Sequence, residues 1–296
     1  MVGRHELSHD TNADTSTSQK LEPPMGAKKN KLQRFLLKHP HCCFCGGGTP
    51  ATTIDHIPAR TCFRGRAFPE TFEFPACEPC NRASRLDEIA FAFYVKLLDH
   101  TDKNFDPRDA DKTISSMINN LPHLLPEPSV DGRRNRTMLR RMGQTKPLNR
   151  LASSLPMVSI SAEAHETLRR YARKIACALY YREQGRPASL EHKTVSIWGQ
   201  AVDRSFAQDV DGFFSLPFLQ VGTRSNLDFG DQFMYRHVEA LKPDLFAMMA
   251  KFGTGLVICA IIVAPDIAER MQRDVTESGV MVQEPWIAVR DNYGAI

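Results

Sequence analysis

Residues 42 to 60 read "CCFCGGGTPATTIDHIPAR", and residues 75 to 81 read "PACEPCN". Cys42 and Cys45 form one CxxC pair, and Cys77 and Cys80 form another. Two such pairs offer four thiolates, the donor set of closed, structural zinc sites. Cys43 offers another sulfur, but the two-residue spacer favours Cys42. The 31 residues between the pairs are more than a simple zinc ribbon needs, so the bracket should carry something of use. What it carries is Asp55 next to His56.

A helix is expected to begin at the second pair. At about 100° per residue, Asn81, Arg85 and Glu88 fall on one narrow face, and Leu86, Ile89, Ala90, Phe93 and Leu97 fall opposite. Asn81 is therefore predicted to sit in the first turn, beside the sulfur anchor, with its carboxamide oxygen outward. A hard cation such as magnesium prefers oxygen donors of this kind. Asp55 adds a carboxylate. His56, with a pKa near neutral, can take a proton from water. Phosphodiester hydrolysis uses both parts, a metal to stabilise charge and a base to make hydroxide. Glu88 is read as an acid that supports the ligands of that metal without touching it, with a plain surface charge as the alternative.

Outside the bracket, residues 1–26 are rich in Ser, Thr, Asp and Pro and are read as a disordered tail. Residues 27–105 form the zinc unit. It opens with a short basic helix, "AKKNKLQRFLLKHP" at 27 to 40, ended by Pro40. Loop and short strands follow, then a helix whose apolar positions include Tyr94 as well as those above. Residues 106–156 are read as a basic, loop-rich connector with one short helix near "KTISSMINNL". Its run "RRNRTMLRRMGQTKPLNR", at 133 to 150, has seven basic residues and no acid. That run is either a solvated linker or a phosphate-contacting arm. In residues 157–296, Ser161 is predicted to cap a helix carrying Leu168, Ala172, Ile175, Ala176 and Leu179, which stops near Gly185. "TVSIW", "QFMYRHV", "LFAMMAKF" and "LVICAIIV" follow as strands. A helix followed by closely connected strands implies α+β with an antiparallel sheet. No motif in this half carries chemistry, and His192 and His237 are read as surface or packing residues.

Hydrophobic content of 42% and charged content of 24% are those of an ordinary globular chain. A net charge of +4 permits a nucleic-acid partner without demanding one. The longest apolar run, "LVICAIIVA" at 256 to 264, is far short of the roughly 20 residues that cross a bilayer. No membrane partner is expected. The first residues, "MVGRHELSHDTNADTSTSQK", lack the apolar core of a secretory signal. Five of the eight cysteines are clustered at 42 to 45 and 77 to 80, which favours metal ligands over disulfides and a reducing, cytoplasmic setting.

The run "CCFCGG…TIDHIPAR…PACEPCN" resembles the HNH endonucleases, the zinc-stabilised ββα-metal group. The resemblance covers about 60 of 296 residues. It implies an N-terminal ββα-metal, treble-clef-like unit in which Cys42, Cys45, Cys77 and Cys80 hold structural Zn2+. Asp55 and Asn81 would hold a catalytic Mg2+ or Mn2+, and His56 would be the general base. Arg60, Arg64 and Arg66, with Arg133, Arg134, Arg140 and Arg141 of the basic run, are the expected phosphate contacts. The expected partner is DNA, with RNA left open. The chain departs from the family at two places. The family's middle Asn has no counterpart in "FEFPAC" at 72 to 77. "SRLDE" at 84 to 88 stands where many members have a Lys- and Gly-rich stretch. The implied function is metal-dependent hydrolysis of DNA phosphodiester bonds. The alternative is a zinc-stabilised nucleic-acid-binding or protein-interaction module without catalysis. The Asp55–His56 pair favours the first, and the missing Asn the second.

Overall fold

The structure, a computed structural model, describes residues 27–69, 71–99, 107–141, 158–201, 203, 206, 208, 219–220, 228–229, 231–240, 245–269 and 287–292. The expected tail at 1–26 and residues 142–150 of the basic run lie outside the described residues.

Helix α1 (Ala27–Lys38) ends two residues before Pro40. Strand β1 (Thr53–His56) pairs antiparallel with β2 (Glu73–Ala76), with Thr53 opposite Ala76 and His56 opposite Glu73. Short 3-10 turns at Arg60–Cys62 and Arg64–Arg66 fill part of the connection. Side chains alternate across a strand, so Asp55 is buried while His56 looks the other way and is half-buried. Cys77 and Pro79 then start helix α2 (Glu78–Ala83).

The single helix expected after the second CxxC pair is broken. Ser84 separates α2 from α3 (Arg85–Leu98). The apolar face is also displaced: Leu86 is 49% and Leu97 38% exposed, whereas Phe91, Ala92, Val95 and Leu98 join Ala90, Phe93 and Tyr94 in the core. The cause is tertiary. Helix α3 packs against both α4 (Pro107–Asn120) and α6 (Ala162–Gln184), so it is buried over a wide arc rather than along one stripe.

The stretch read as a loop-rich connector is more helical than its composition implies. It holds the 14-residue α4 and the 10-residue α5 (Gly132–Arg141), with strand β3 (Glu127–Pro128) between them. Pro107 suits the first turn of α4, and Ala110, Thr113 and Met117 bury one face of it. Strand β4 (Val158–Ser159) pairs with β3.

Helix α6 begins as the sequence indicates. Ser161 Oγ accepts a hydrogen bond from Ala164 N at 3.1 Å, and Gly185 ends the helix at φ 67°. Only glycine takes that left-handed conformation without strain. The four expected strands are present as β5 (Lys193–Gln200), β8 (Phe233–Ala240), β9 (Leu245–Phe252) and β10 (Leu256–Val263). The short β6 (Leu219–Gln220), β7 (Asp228–Phe229) and β11 (Ile287–Ala288) complete an antiparallel sheet of order β11-β5-β10-β9-β8-β6, with β7 also on β8. The fold is thus α+β with antiparallel sheets. Strand β10 is buried along its whole length, as its uninterrupted apolar sequence requires. Helix α6 lies on β5, β9 and β10 and also touches α3. One cluster of buried side chains runs from Cys42, Phe74 and Phe91 through Tyr171 and Ile175 to Phe252 and Ile258. His192 and His237 are buried and serve packing. Among the described residues, no helix is long and apolar enough to cross a membrane.

Candidate functional site

The four predicted sulfur ligands come together. The Sγ atoms of Cys42, Cys45, Cys77 and Cys80 all lie within 4.8 Å of one another. Their crowding spreads their acidities. Hydrogen bonds from the Cys42 and Cys80 thiols hold Cys45 down at about 2, while Cys45, then burial, pushes Cys42 up to about 12. Four sulfurs this close together are the donor set of a tetrahedral metal site such as that of zinc. Cys43 is excluded from the cluster. It is fully buried, its thiol pKa is raised by burial, and its N–H donates to Pro75 O at 3.0 Å. The cluster therefore ties the knuckle before β1 to the start of α2, across the β1–β2 pair.

On the inner face of that pair stand Thr53 and Asp55. Asn81 Nδ2 donates to Thr53 Oγ1 at 3.0 Å, which fixes the first turn of α2 against β1. Asp55 Oδ2 accepts from Lys174 Nζ at 2.5 Å. Lys174 comes from α6, is wholly buried, donates to Ser84 Oγ, and reaches Glu88 Oε1 at 3.4 Å. Burial alone would lower the lysine pKa, but Asp55 and Glu88 outweigh it and the net shift is upward. The ammonium thus stays charged between two carboxylates. Burial raises the Glu88 pKa, against the pull of Lys174. Glu88 also accepts from Ser84 Oγ at 2.8 Å, so it is no free surface charge.

Asp55 Oδ1 and Asn81 Oδ1 accept no hydrogen bond from a described residue. Magnesium takes oxygen donors of this kind and completes its shell with water and phosphate. Lys174 opposes it, because its ammonium already neutralises much of the Asp55 charge.

The outer face belongs to His56. Its Nε2 lies 2.7 Å from Arg60 Nη2 and 3.5 Å from Glu73 Oε1. Guanidinium groups only donate, so the nearer contact assigns Nε2 as the acceptor and puts the imidazole proton on Nδ1. Burial, then the Arg60 charge, hold the His56 pKa below its ordinary 6.5. Phe68 packs edge-on to the ring at 5.1 Å and also lies beneath Arg60. No hydrogen bond joins His56 to Asp55 or Asn81 among the described residues.

The other predicted arginines are dispersed. Arg64 and Arg66 lie in the exposed turn after Arg60, where Arg64 N donates to Gln232 Oε1 at 2.7 Å. Arg133, Arg134, Arg140 and Arg141 all fall on α5, with Arg133 and Arg140 exposed. Sequence reasoning missed Lys174, Ser84 and Glu73. A signal for Lys174 existed: "RRYARK" at 169 to 174 runs straight into the apolar stretch "IACALYY" at 175 to 181, and a cation on a buried helix face demands an acidic partner. Arg170 meets this demand with a two-pronged bond to Asp87 at 2.6 and 2.7 Å.

Compared with protein-family models, curated proteins and solved structures, the chain matches none.

Proposed function

We propose that this protein is a metal-dependent endonuclease that hydrolyses DNA phosphodiester bonds through an HNH-type, zinc-braced ββα unit. The observation that carries the reading is His56. It is a neutral, half-buried imidazole on a strand pair that four clustered sulfurs fasten to the helix bearing Asn81. Cys42, Cys45, Cys77 and Cys80 hold zinc in this reading. Asp55 and Asn81 hold a magnesium or manganese ion, which when bound supplies charge stabilisation on the phosphate and the leaving oxygen. Arg60 covers the Nε2 lone pair in the resting protein. A backbone phosphate is a better partner for a guanidinium than a neutral imidazole. Substrate therefore draws Arg60 onto phosphate and uncovers Nε2, which takes a proton from water. Glu73, 3.5 Å away, then faces an imidazolium N–H and stabilises its charge.

One observation favours the second reading, a zinc-stabilised nucleic-acid-binding module without catalysis: Asp55 already has a cation, Lys174. Plasmid cleavage with magnesium or manganese, against a chelator blank, decides between them. His56→Ala is expected to keep zinc, fold and DNA affinity and to lose at least about 100-fold in cleavage rate. Wild-type protein that binds DNA but stays inert with either metal would establish the binding module. Cleavage that survives His56→Ala would remove the mechanism.

A further inference from the structure

A groove of about 850 Å³ lies between α1, β2 and the end of α6, and its lining includes Lys31, Arg34, Lys38 and Arg182 against one acid, Glu73. It runs up to the candidate base: Lys31 Nζ and His56 Nε2 both lie within 3.5 Å of the same Glu73 oxygen. We infer that this groove holds the phosphodiester backbone of one nucleic-acid strand and leads it to His56, an inference that rests on the nuclease reading above.

Three features carry it. Lys31, Arg34 and Lys38 are exposed and spaced i, i+3, i+7, so they form one stripe along α1 facing the groove. At about 1.5 Å of rise per residue the stripe is about 10 Å long, which matches about three nucleotide steps at the roughly 3.4 Å axial spacing of one strand. Arg34 and Lys38 form no ion pair with a described residue, so their charge is available to a ligand. Opposite them, Arg182 is fixed rather than loose: it donates to Thr71 Oγ1 at 3.0 Å and lies 4.6 Å over the Phe72 ring. Half-buried Phe35 and Tyr181 add ring surface to the same lining, and grooves that pair cations with aromatic rings hold nucleic-acid strands. None of these positions belongs to the arginines that the sequence marked, which stand on the Arg60 turn and on α5.

The test uses the full chain and two labelled probes, a single-stranded oligonucleotide and its duplex, titrated across a salt series without divalent metal. Arg34→Gln with Lys38→Gln is the groove variant; both side chains are exposed, and zinc content with circular dichroism checks its fold. Lys112→Gln with Arg236→Gln, two exposed cations that do not line the groove, carries the same charge change as a control. The groove variant is expected to lose about tenfold or more in affinity. Its log–log salt slope should flatten by about 1.4 on the single strand or about 1.8 on the duplex, and the probe that shows the change identifies the strand's source. An unchanged slope on both probes, or an equal loss in the control, overturns the groove. The two readings fail separately. Wild-type protein that binds through the groove but never cuts sinks the role of His56 alone, and wild-type cleavage with a silent groove variant sinks the groove alone.

Discussion

His56 shares one nitrogen between a donor at 2.7 Å and a carboxylate at 3.5 Å, and the nearer group wins. Its lowered pKa has a definite sign in a rate profile. The base form is present above the folded pKa, which lies below 6.5, so cleavage should hold as pH falls through 6.5 and fail only below it. Arg60→Gln removes one of the two depressing causes, leaving burial, and the acid limb of kcat/KM should move up in pH. A limb that stays in place would show that Arg60 does not govern this imidazole. Asp55 raises a different issue, because its partner is buried with it. Removing one member of a buried ion pair strands the other charge and costs about 3–5 kcal/mol. Lys174→Met is therefore expected to lower unfolding stability by about 3 kcal/mol or more, with part of the loss returned when Asp55→Asn is added. Denaturant titration of the single and double variants measures this. Asp55 and His56 were legible as a pair because an acid and an imidazole inside paired cysteines are hard to explain otherwise. Lys174 was not, because it meets Asp55 across 119 positions of sequence and nothing local to either residue names the other.

At the scale of elements, the cysteine cluster closes a knuckle, a strand pair and a helix start into one unit. A two-residue spacer lets both sulfurs of a pair face one point, which is why the CxxC pairs could be read without coordinates. The same geometry separates neighbours: Cys42 is in the cluster, whereas Cys43 points into the core. Cys42→Ser should lose the bound zinc, and with it much of the unit's folding energy. Cys43→Ser should keep about one zinc per chain by metal analysis. Equal zinc loss in both variants would mean the ligand set is wrong. The C-terminal strands were legible because they are apolar and bounded by turn residues, and α6 because Ser161 and Gly185 mark its ends. The break at Ser84 was not. Its hydroxyl bonds Glu88 one turn on and accepts from Lys174 across 90 positions of sequence, and a uniform 100° wheel cannot see where a helix is interrupted by such a tertiary contact. For the same reason the wheel misplaced Leu86 and Leu97.

Across the whole molecule, the cysteine-bracketed unit does not own its core. Phe91 of α3 packs on Tyr171 at 4.8 Å and on Phe252 at 5.1 Å. Ala59 N, just past β1, donates to Tyr171 Oη at 3.0 Å, Asp87 takes Arg170, and Asp55 takes Lys174. Each of these partners lies in the C-terminal half, which the sequence offered as a unit without chemistry. Composition and periodicity report what each segment contains, and neither reports which segments share a buried face. The consequence is testable on a fragment. Residues 27–105 alone would leave Asp55 and Asp87 without their cations and Phe91 and Tyr94 facing water. The two acids lose the ion pairs that tie them to α6 and become solvated, while each large apolar side chain left exposed forfeits about 1.5–3 kcal/mol, a large share of the stability of an ordinary domain. Zinc bound by the four cysteines can hold the knuckle but replaces none of these contacts. The fragment is therefore expected to retain metal yet show no cooperative thermal transition, to bind a hydrophobic dye, and to lack cleavage, while the full chain melts cooperatively. A fragment that unfolds in one sharp transition and cuts DNA at the full-length rate would show that α6 and its lysine are scaffolding for something other than this site.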